Sequence, residues 1–158
     1  MSGSNSGIGS RIEIPFVHQN GCSIGFVQFL DKCYFFSHTT ASWAQAGATC
    51  QQFHTKLAEP RTDGELNFLT SHSQSTGKKY WIGISDILEE HRWIYSSDMG
   101  EITVNNFSPG EPTAYTKENC VAMYQTAHGK WVDAACTYTG FYFICEEIGG
   151  ASNVDVIG

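Results

Sequence analysis

The apolar positions that follow residue 42 repeat with the period of a helix. Trp43, Ala46, Gly47, Cys50 and Phe53 fall at i, i+3, i+4, i+7 and i+10, so one face is apolar and carries a cysteine on its buried side. Ser42, just ahead of them, is the expected N-cap. A second helix is predicted after Pro60, where Thr62 and Glu65 have the spacing of a capping box. Leu66 and Leu69 give it a short apolar face before the Ser/Gly-rich residues 70–77. Ahead of both helices, Tyr34-Phe35-Phe36 reads as a strand. The stretch CSIGFVQFLDKC, from Cys22 to Cys33, reads as a hairpin whose ends one disulfide would close.

From Lys79 onward the pattern changes to short apolar runs separated by polar stretches. Tyr80-Trp81-Ile82-Gly83-Ile84 is one run, Trp93-Ile94-Tyr95 a second, residues 120–124 a third, 131–136 a fourth and 141–145 a fifth; each is a predicted strand. Residues 96–119 have little periodicity. A stretch that long without regular structure inside a compact domain points to a functional loop, and its Gly, Pro, Asn and acidic residues suit a binding loop. The chain therefore divides into an N-terminal extension at 1–21, a folded unit at 22–147 and a flexible tail at 148–158.

Composition narrows the class. A chain of 158 residues is one domain's worth, and a hydrophobic content of 41% is enough to form a core. Nine Lys and Arg against 16 Asp and Glu give a net charge of -7, and the basic residues are scattered, with no cluster larger than Lys78-Lys79. Such a surface repels phosphate backbones, which excludes nucleic acid. No run approaches the ~18 apolar residues of a membrane span. Residues 1–10 (MSGSNSGIGS) contain no apolar run, so they read as a replaced leader or an expression remnant.

Six cysteines, at 22, 33, 50, 120, 136 and 145, contain no Cys-x-x-Cys pair. This argues against zinc knuckles and thioredoxin-type chemistry and for three disulfides in an oxidising compartment, with 15 pairings open. The six histidines, His18, His38, His54, His72, His91 and His128, include no His-x-x-x-His pair and read as surface or structural residues. Gly-x-Ser-x-Gly, P-loop and dinucleotide fingerprints are absent, and no cysteine is left over as a nucleophile, so the chain reads as a non-enzyme.

One family accommodates all of this. The capped helix carrying Cys50, the second helix, Trp81-Ile82-Gly83-Ile84, Trp93, Asn106 to Thr113, Cys120, Trp131-Val132-Asp133, Cys136 and Cys145 occur in an order that resembles the C-type lectin-like domain. The likeness is to its long form with an extra N-terminal cysteine pair, and to soluble mollusc lectins of the perlucin-like kind. It implies an α+β fold of two helices, small antiparallel sheets and a long binding loop pinned by disulfides. It also implies the pairs Cys22–Cys33, Cys50–Cys145 and Cys120–Cys136. Closing a loop of nearly 100 residues through Cys50–Cys145 stabilises by roughly 4–5 kcal/mol in the chain-entropy model, and the shorter Cys120–Cys136 closure by roughly 3.

In sugar-binding members a calcium ion is held by a Glu-Pro-Asn or Gln-Pro-Asp tripeptide, a later Glu and a Trp-Asn-Asp triplet, and the same groups grip two sugar hydroxyls. Calcium takes 6–8 oxygens, so vicinal hydroxyls can complete its shell. Carried onto this chain, the resemblance implies Glu111, Thr113, Glu118 and Asp133 as both calcium and carbohydrate ligands, with Tyr115 as a stacking candidate and Tyr138 a further exposed aromatic. Two positions depart from the pattern. Thr113 stands where Asn or Asp is expected, and Val132, which has no side-chain oxygen, stands where the Asn of the triplet belongs. Both weaken calcium. An auxiliary calcium site maps to Asp86, Glu90 and Asn119, with Glu118 shared and Ala114 at a position that is often acidic; solvated loop acids are the competing reading for this group.

The other aromatic residues and the sequon are read more plainly. Trp81, Trp93 and Trp131 lie in apolar runs and are expected in the core. Asn106-Phe107-Ser108 is a glycosylation sequon, but the preferred reading has Asn106 hydrogen-bonding the loop and Phe107 packing beneath it. The expected function is that of a secreted, extracellular lectin, calcium-assisted, recognising glycans on cell or microbial surfaces in innate immune recognition. Glu111 leans toward mannose- or GlcNAc-type hydroxyl geometry, with galactose-type recognition left open. The alternative is a calcium-independent module that binds a protein or a mineral surface. Oligomerisation is compatible with either, though no coiled-coil or collagen-like segment is present.

Overall fold

The computed structural model describes residues 18–19, 21–113 and 117–148. The described backbone groups into two compact units, one holding the described residues up to Tyr34 with Ile148, the other those from Phe35 to Glu147. In the first, β1 (His18–Gln19) pairs antiparallel with β2 (Cys22–Ser23), and β3 (Val27–Phe29) pairs antiparallel with the start of β4 (Lys32–Phe36). The Cys22–Cys33 disulfide closes this stretch, and both cysteines are buried.

The second unit holds the two helices and the main sheet. α1 (Trp43–Gln52) begins with a capping box: the Ser42 hydroxyl accepts the Gln45 N–H and the Gln45 side chain accepts the Ser42 N–H. Ala46 and Cys50 are buried, whereas Phe53, in the C-cap position, is exposed. After β5 (Lys56–Leu57) comes α2 (Asp63–Thr76), opened by the Thr62–Glu65 capping box and closed by Gly77 at φ +71°. α2 runs through residues where the sequence pattern suggests a break. Hydroxyls reinforce its end: Thr76 donates to the Ser73 carbonyl, which also receives the Gly77 N–H, and Ser73 donates to the Lys78 carbonyl just past the helix.

β6 (Tyr80–Ser85) is the central strand, with all six residues buried. It lies between β8 (Cys120–Tyr124), which is antiparallel to it, and β10 (Tyr142–Ile148), which is parallel. β9 (Lys130–Ala134) pairs antiparallel with β8 beyond the short 3-10 turn Gln125–Ala127, β7 (Ile94–Tyr95) pairs with β6, and β5 pairs with β10. The sheet is therefore mixed rather than purely antiparallel. The chain leaves β6, makes β7, the long loop and the β8–β9 hairpin, and returns beside β6 in the same direction, a connection long enough to allow parallel pairing.

The core lies where α1 covers this sheet: Ala46 and Cys50 from the helix meet Leu57, Trp81, Ala122, Phe141, Phe143 and Cys145. Two indoles also tie backbone across it, Trp81 Nε1 donating to the Ala41 carbonyl at 2.8 Å and Trp43 Nε1 to the Ile82 carbonyl at 2.9 Å. Trp81 and Trp131 are fully buried, while Trp93 is half-buried. The Cys50–Cys145 disulfide, spanning 95 residues, joins α1 to β10, and Cys120–Cys136 joins the start of β8 to the segment after β9. All three pairs are those that the family resemblance implies. Among the described residues, no helix is long and apolar enough to cross a membrane.

Candidate functional site

The long loop is fixed from below before it presents any chemistry. Trp131 N–H donates to the Asn106 carbonyl at 2.8 Å and Ser108 N–H to the Trp131 carbonyl at 2.9 Å, so the loop joins β9 as a one-residue bridge through Phe107. The Phe107 ring packs between Trp93, at 5.2 Å, and Trp131, at 5.4 Å. The Asn106 side chain accepts from Lys130 Nζ at 3.3 Å. From this anchor the chain turns through Ser108 and Glu111, whose N–H donates to the Ser108 carbonyl, and delivers residues 111–113 beside the end of β9.

Glu111, Thr113, Glu118 and Asp133 meet there. The Thr113 N–H points at the Asp133 carboxylate, 3.0 Å from each oxygen. Its hydroxyl lies 2.7 Å from Glu118 Oε1 and 2.8 Å from Asp133 Oδ2, so a single proton bridges two acids. Glu111 Oε1 accepts the Asp133 N–H at 3.4 Å. Burial, the adjoining Asp133 carboxylate and the charge of Glu118 push the Glu111 carboxyl from 4.5 up to about 7. The half-buried Tyr124 on β8 is raised as well, by burial first and then by Tyr138 and the same three acids. Tyr124 is a member of the site's electrostatic environment that strand patterning does not single out.

These donors are oxygens and their summed charge is negative, which suits a hard cation such as calcium. Carboxylates crowded enough to hold Glu111 near 7 are also what such an ion would relieve. The fit is incomplete, because Val132 is buried beside Asp133 and offers no oxygen. Thr113 does not replace it as a strong donor: its hydroxyl is engaged in linking Glu118 to Asp133. Tyr115 and Ala114 lie outside the described residues. Tyr138 is exposed, with its ring 4.7 Å from that of Phe141.

The auxiliary positions come together differently. Asp86 follows β6 and is 1% exposed; its N–H donates to the main-chain carbonyl of Asn119 at 3.0 Å. Burial, and next to it the charge of Glu90, raise the Asp86 carboxyl, against the lowering effect of the His91 N–H. Among the described residues, one group of three or more His, Cys, Asp or Glu side chains has ligand atoms all within 4.8 Å of one another: Asp86, Glu90 and His91. His91 was not legible as a member, because it reaches Asp86 through its backbone N–H, 2.8 Å from Oδ2 across a five-residue turn, which no spacing motif marks.

The comparisons with known proteins agree with this frame. The family model for the lectin C-type domain matches residues 39–147. Perlucin of Haliotis laevigata is 31% identical over 131 residues, 80% of this chain and 83% of perlucin. The human low affinity immunoglobulin epsilon Fc receptor is 32% identical over 132 residues, which are 82% of this chain but 39% of the receptor, so the chain spans about two fifths of that relative. The cow C-type carbohydrate-recognition domain of CD23, solved in the presence of a GlcNAc2Man3 oligosaccharide, aligns with a TM-score of 0.74 at 32% identity, over 83% of this chain and 98% of that one. A calcium-independent type II antifreeze protein aligns with a TM-score of 0.73 at 20% identity, over 84% of this chain and 98% of the other, a likeness of fold alone. The chain belongs to the C-type lectin domain family.

Proposed function

We propose that this protein is a secreted, non-enzymatic carbohydrate-binding lectin whose recognition domain spans residues 22–147. Its site is Glu111, Thr113, Glu118 and Asp133, assisted by calcium, and its ligands are glycans on cell or microbial surfaces. The observation that carries the reading is the meeting of these four side chains, with Thr113 between Glu118 and Asp133 and Glu111 lifted to about 7 beside them. Three acids brought together at one edge of a sheet favour a bound cation. A calcium ion there would have open positions for two adjacent sugar hydroxyls. The CD23 domain solved with a mannose- and GlcNAc-containing oligosaccharide supports that class of glycan, and so does Glu rather than Gln at position 111.

The test is a glycan array probed in millimolar calcium and again in chelator, with Glu118→Gln beside the wild type. Binding that is lost in chelator and in the variant supports the reading. Binding of equal strength in chelator removes calcium from it, and no glycan binding in either condition removes the sugar.

One observation favours a second reading, a calcium-independent module that binds a protein or a mineral surface: the buried Val132 takes the place of an oxygen donor. In that case millimolar calcium leaves the melting temperature where chelator leaves it, since a ligand that binds the native state alone must raise it. Adsorption to calcium carbonate distinguishes the mineral form.

A further inference from the structure

Helix α1 carries a glycine that its packing does not require. Gly47 lies in the middle of the helix, where glycine is less favourable than alanine because its backbone has more freedom to lose. A methyl group would fit there: among the described residues, the one heavy atom that a Cβ would meet within 4 Å is Leu57 Cδ1, at 3.8 Å, an ordinary contact. What the missing side chain leaves is space. Gly47 lines a cleft of about 430 Å³, a volume typical of small-molecule sites, where α1, β5 and the loop after β7 meet.

The lining of this cleft combines two kinds of chemistry. Trp43, half-buried, and Leu57 are its apolar part, and the indole is held in place by its N–H bond to the Ile82 carbonyl at 2.9 Å. Gln51, exposed, adds an amide about 12 Å along the helix axis from Trp43. Lys56 Nζ donates to Glu59 at 3.1 Å and to Ser97 Oγ at 3.2 Å, so one of its three protons is left for a ligand. Ser97 Oγ spends its own proton on Glu59, at 2.8 Å, and its oxygen can still accept. The charges cancel within the wall. The Lys56 ammonium faces Glu59 and Glu146 at 3.1 and 3.8 Å, and both oxygens of the buried Glu59 are engaged by Ser97. Neither an anion nor a metal ion would find an uncompensated partner here.

From this lining we infer that the cleft is a second carbohydrate site, independent of calcium, for an uncharged disaccharide. A pyranose has an apolar C–H face, which Trp43 and Leu57 suit, and a rim of hydroxyls that both donate and accept, which Gln51, Lys56 and Ser97 suit. The span from Trp43 to Gln51 is roughly the length of two linked rings. The site uses none of Glu111, Thr113, Glu118 and Asp133, so it does not rest on the calcium-assisted reading and can fail without it.

The test uses Glu118→Gln in chelator, which silences the first site, and titrates it with maltose, lactose and N,N′-diacetylchitobiose while amide shifts are followed by NMR. At least one of the three should give saturable shifts concentrated at residues 43–51, 56, 57 and 97. In that background Gly47→Gln, which fills the cleft, abolishes the shifts, and Gln51→Ala weakens binding at least threefold. Gly47→Ala separates binding from folding: it raises the melting temperature by about 2 °C while weakening the disaccharide. No saturable shift with any of the three sugars, shifts confined to other residues, or unchanged affinity in Gly47→Gln each overturns the inference, and none of these results touches calcium-dependent binding by the wild type.

Discussion

Thr113 holds Asp133 twice, through its main-chain N–H, 3.0 Å from both carboxylate oxygens, and through its hydroxyl at 2.8 Å. The first contact survives any substitution that keeps the backbone; the second depends on the side chain and also reaches Glu118. Thr113→Val, which keeps the shape, therefore isolates the bridge. Without cation the variant loses a charge-assisted hydrogen bond and leaves two carboxylates facing each other, a cost of about 1.5–3 kcal/mol. With a calcium ion neutralising the acids, the penalty shrinks. Urea denaturation in chelator and in millimolar calcium checks both halves, and an equal loss in the two conditions would mean that no cation shares the site.

Val132 bears on the same site from the other side. Its neighbour Asp133 faces Thr113, yet position 132 carries no donor, and Thr113 is committed to bridging. Thr113→Asn combined with Val132→Asn supplies two amide oxygens to the acids already present. Calcium affinity should rise by at least tenfold, measured by calorimetry. The double variant should also be less stable than wild type in chelator by about 1–3 kcal/mol, because a buried amide then lacks its partner.

Gly83 is fixed by its surroundings rather than by its torsion angles. A Cβ there would lie 2.9 Å from the Leu57 carbonyl oxygen, 3.1 Å from Glu59 Cγ and 3.1 Å from Ser96 Oγ, while its own N–H and carbonyl bond to Ala58 and Ser96. Gly83→Ala must push apart β6, the strand end at Ala58 and the start of the long loop. A loss of about 1–3 kcal/mol is expected in chemical denaturation. A loss below 0.5 kcal/mol would show that the Leu57 carbonyl yields easily.

How much of this was legible in the chain itself follows from which interactions are local. Capping residues and apolar faces lie within a few positions of one another, so Ser42, Thr62 with Glu65, and the wholly buried β6 run could be read directly. The end of α2 could not, because Ser73 and Thr76 behave as breakers in isolation and become stabilising only once their hydroxyls reach the Lys78 and Ser73 carbonyls around the helix end. Nor could the parallel pairing of β6 with β10, which depends on the route of all the intervening chain. At the site, Glu111, Glu118 and Asp133 were legible from their order relative to the cysteines and tryptophans. What Thr113 does with them was not, since a residue type does not disclose which acids its hydroxyl will bridge. His91 was hidden for a different reason: its place beside Asp86 and Glu90 comes with a turn closed by its own backbone N–H on the Asp86 carboxylate.

Glu59 offers a test of the fold away from the candidate site. It is fully buried between β5 and α2, where it receives Ser97 N–H at 2.8 Å, Ser97 Oγ at 2.8 Å, Arg61 at 2.8 Å and Lys56 at 3.1 Å. Burial works to raise its pKa, but Ser97, Arg61 and Lys56 together outweigh it and hold the carboxyl below its ordinary 4.5. The native state therefore releases this proton more readily than the unfolded chain does. Glu59 contributes its full stabilisation above pH 4.5, and that contribution is lost as the pH falls through its depressed native value. Glu111 and Asp86, whose carboxyls are raised, act in the opposite sense, so the raw pH profile mixes the two. The difference between wild type and Glu59→Gln removes what the other acids contribute. Urea denaturation from pH 7 to pH 3 should give a stability gap between the two proteins that is constant above pH 5 and narrows below 4.5. A gap that stays the same to pH 3 would show that the Glu59 carboxyl titrates alike in the native and unfolded states, and that its ion pairs with Arg61 and Lys56 hold no proton-linked energy.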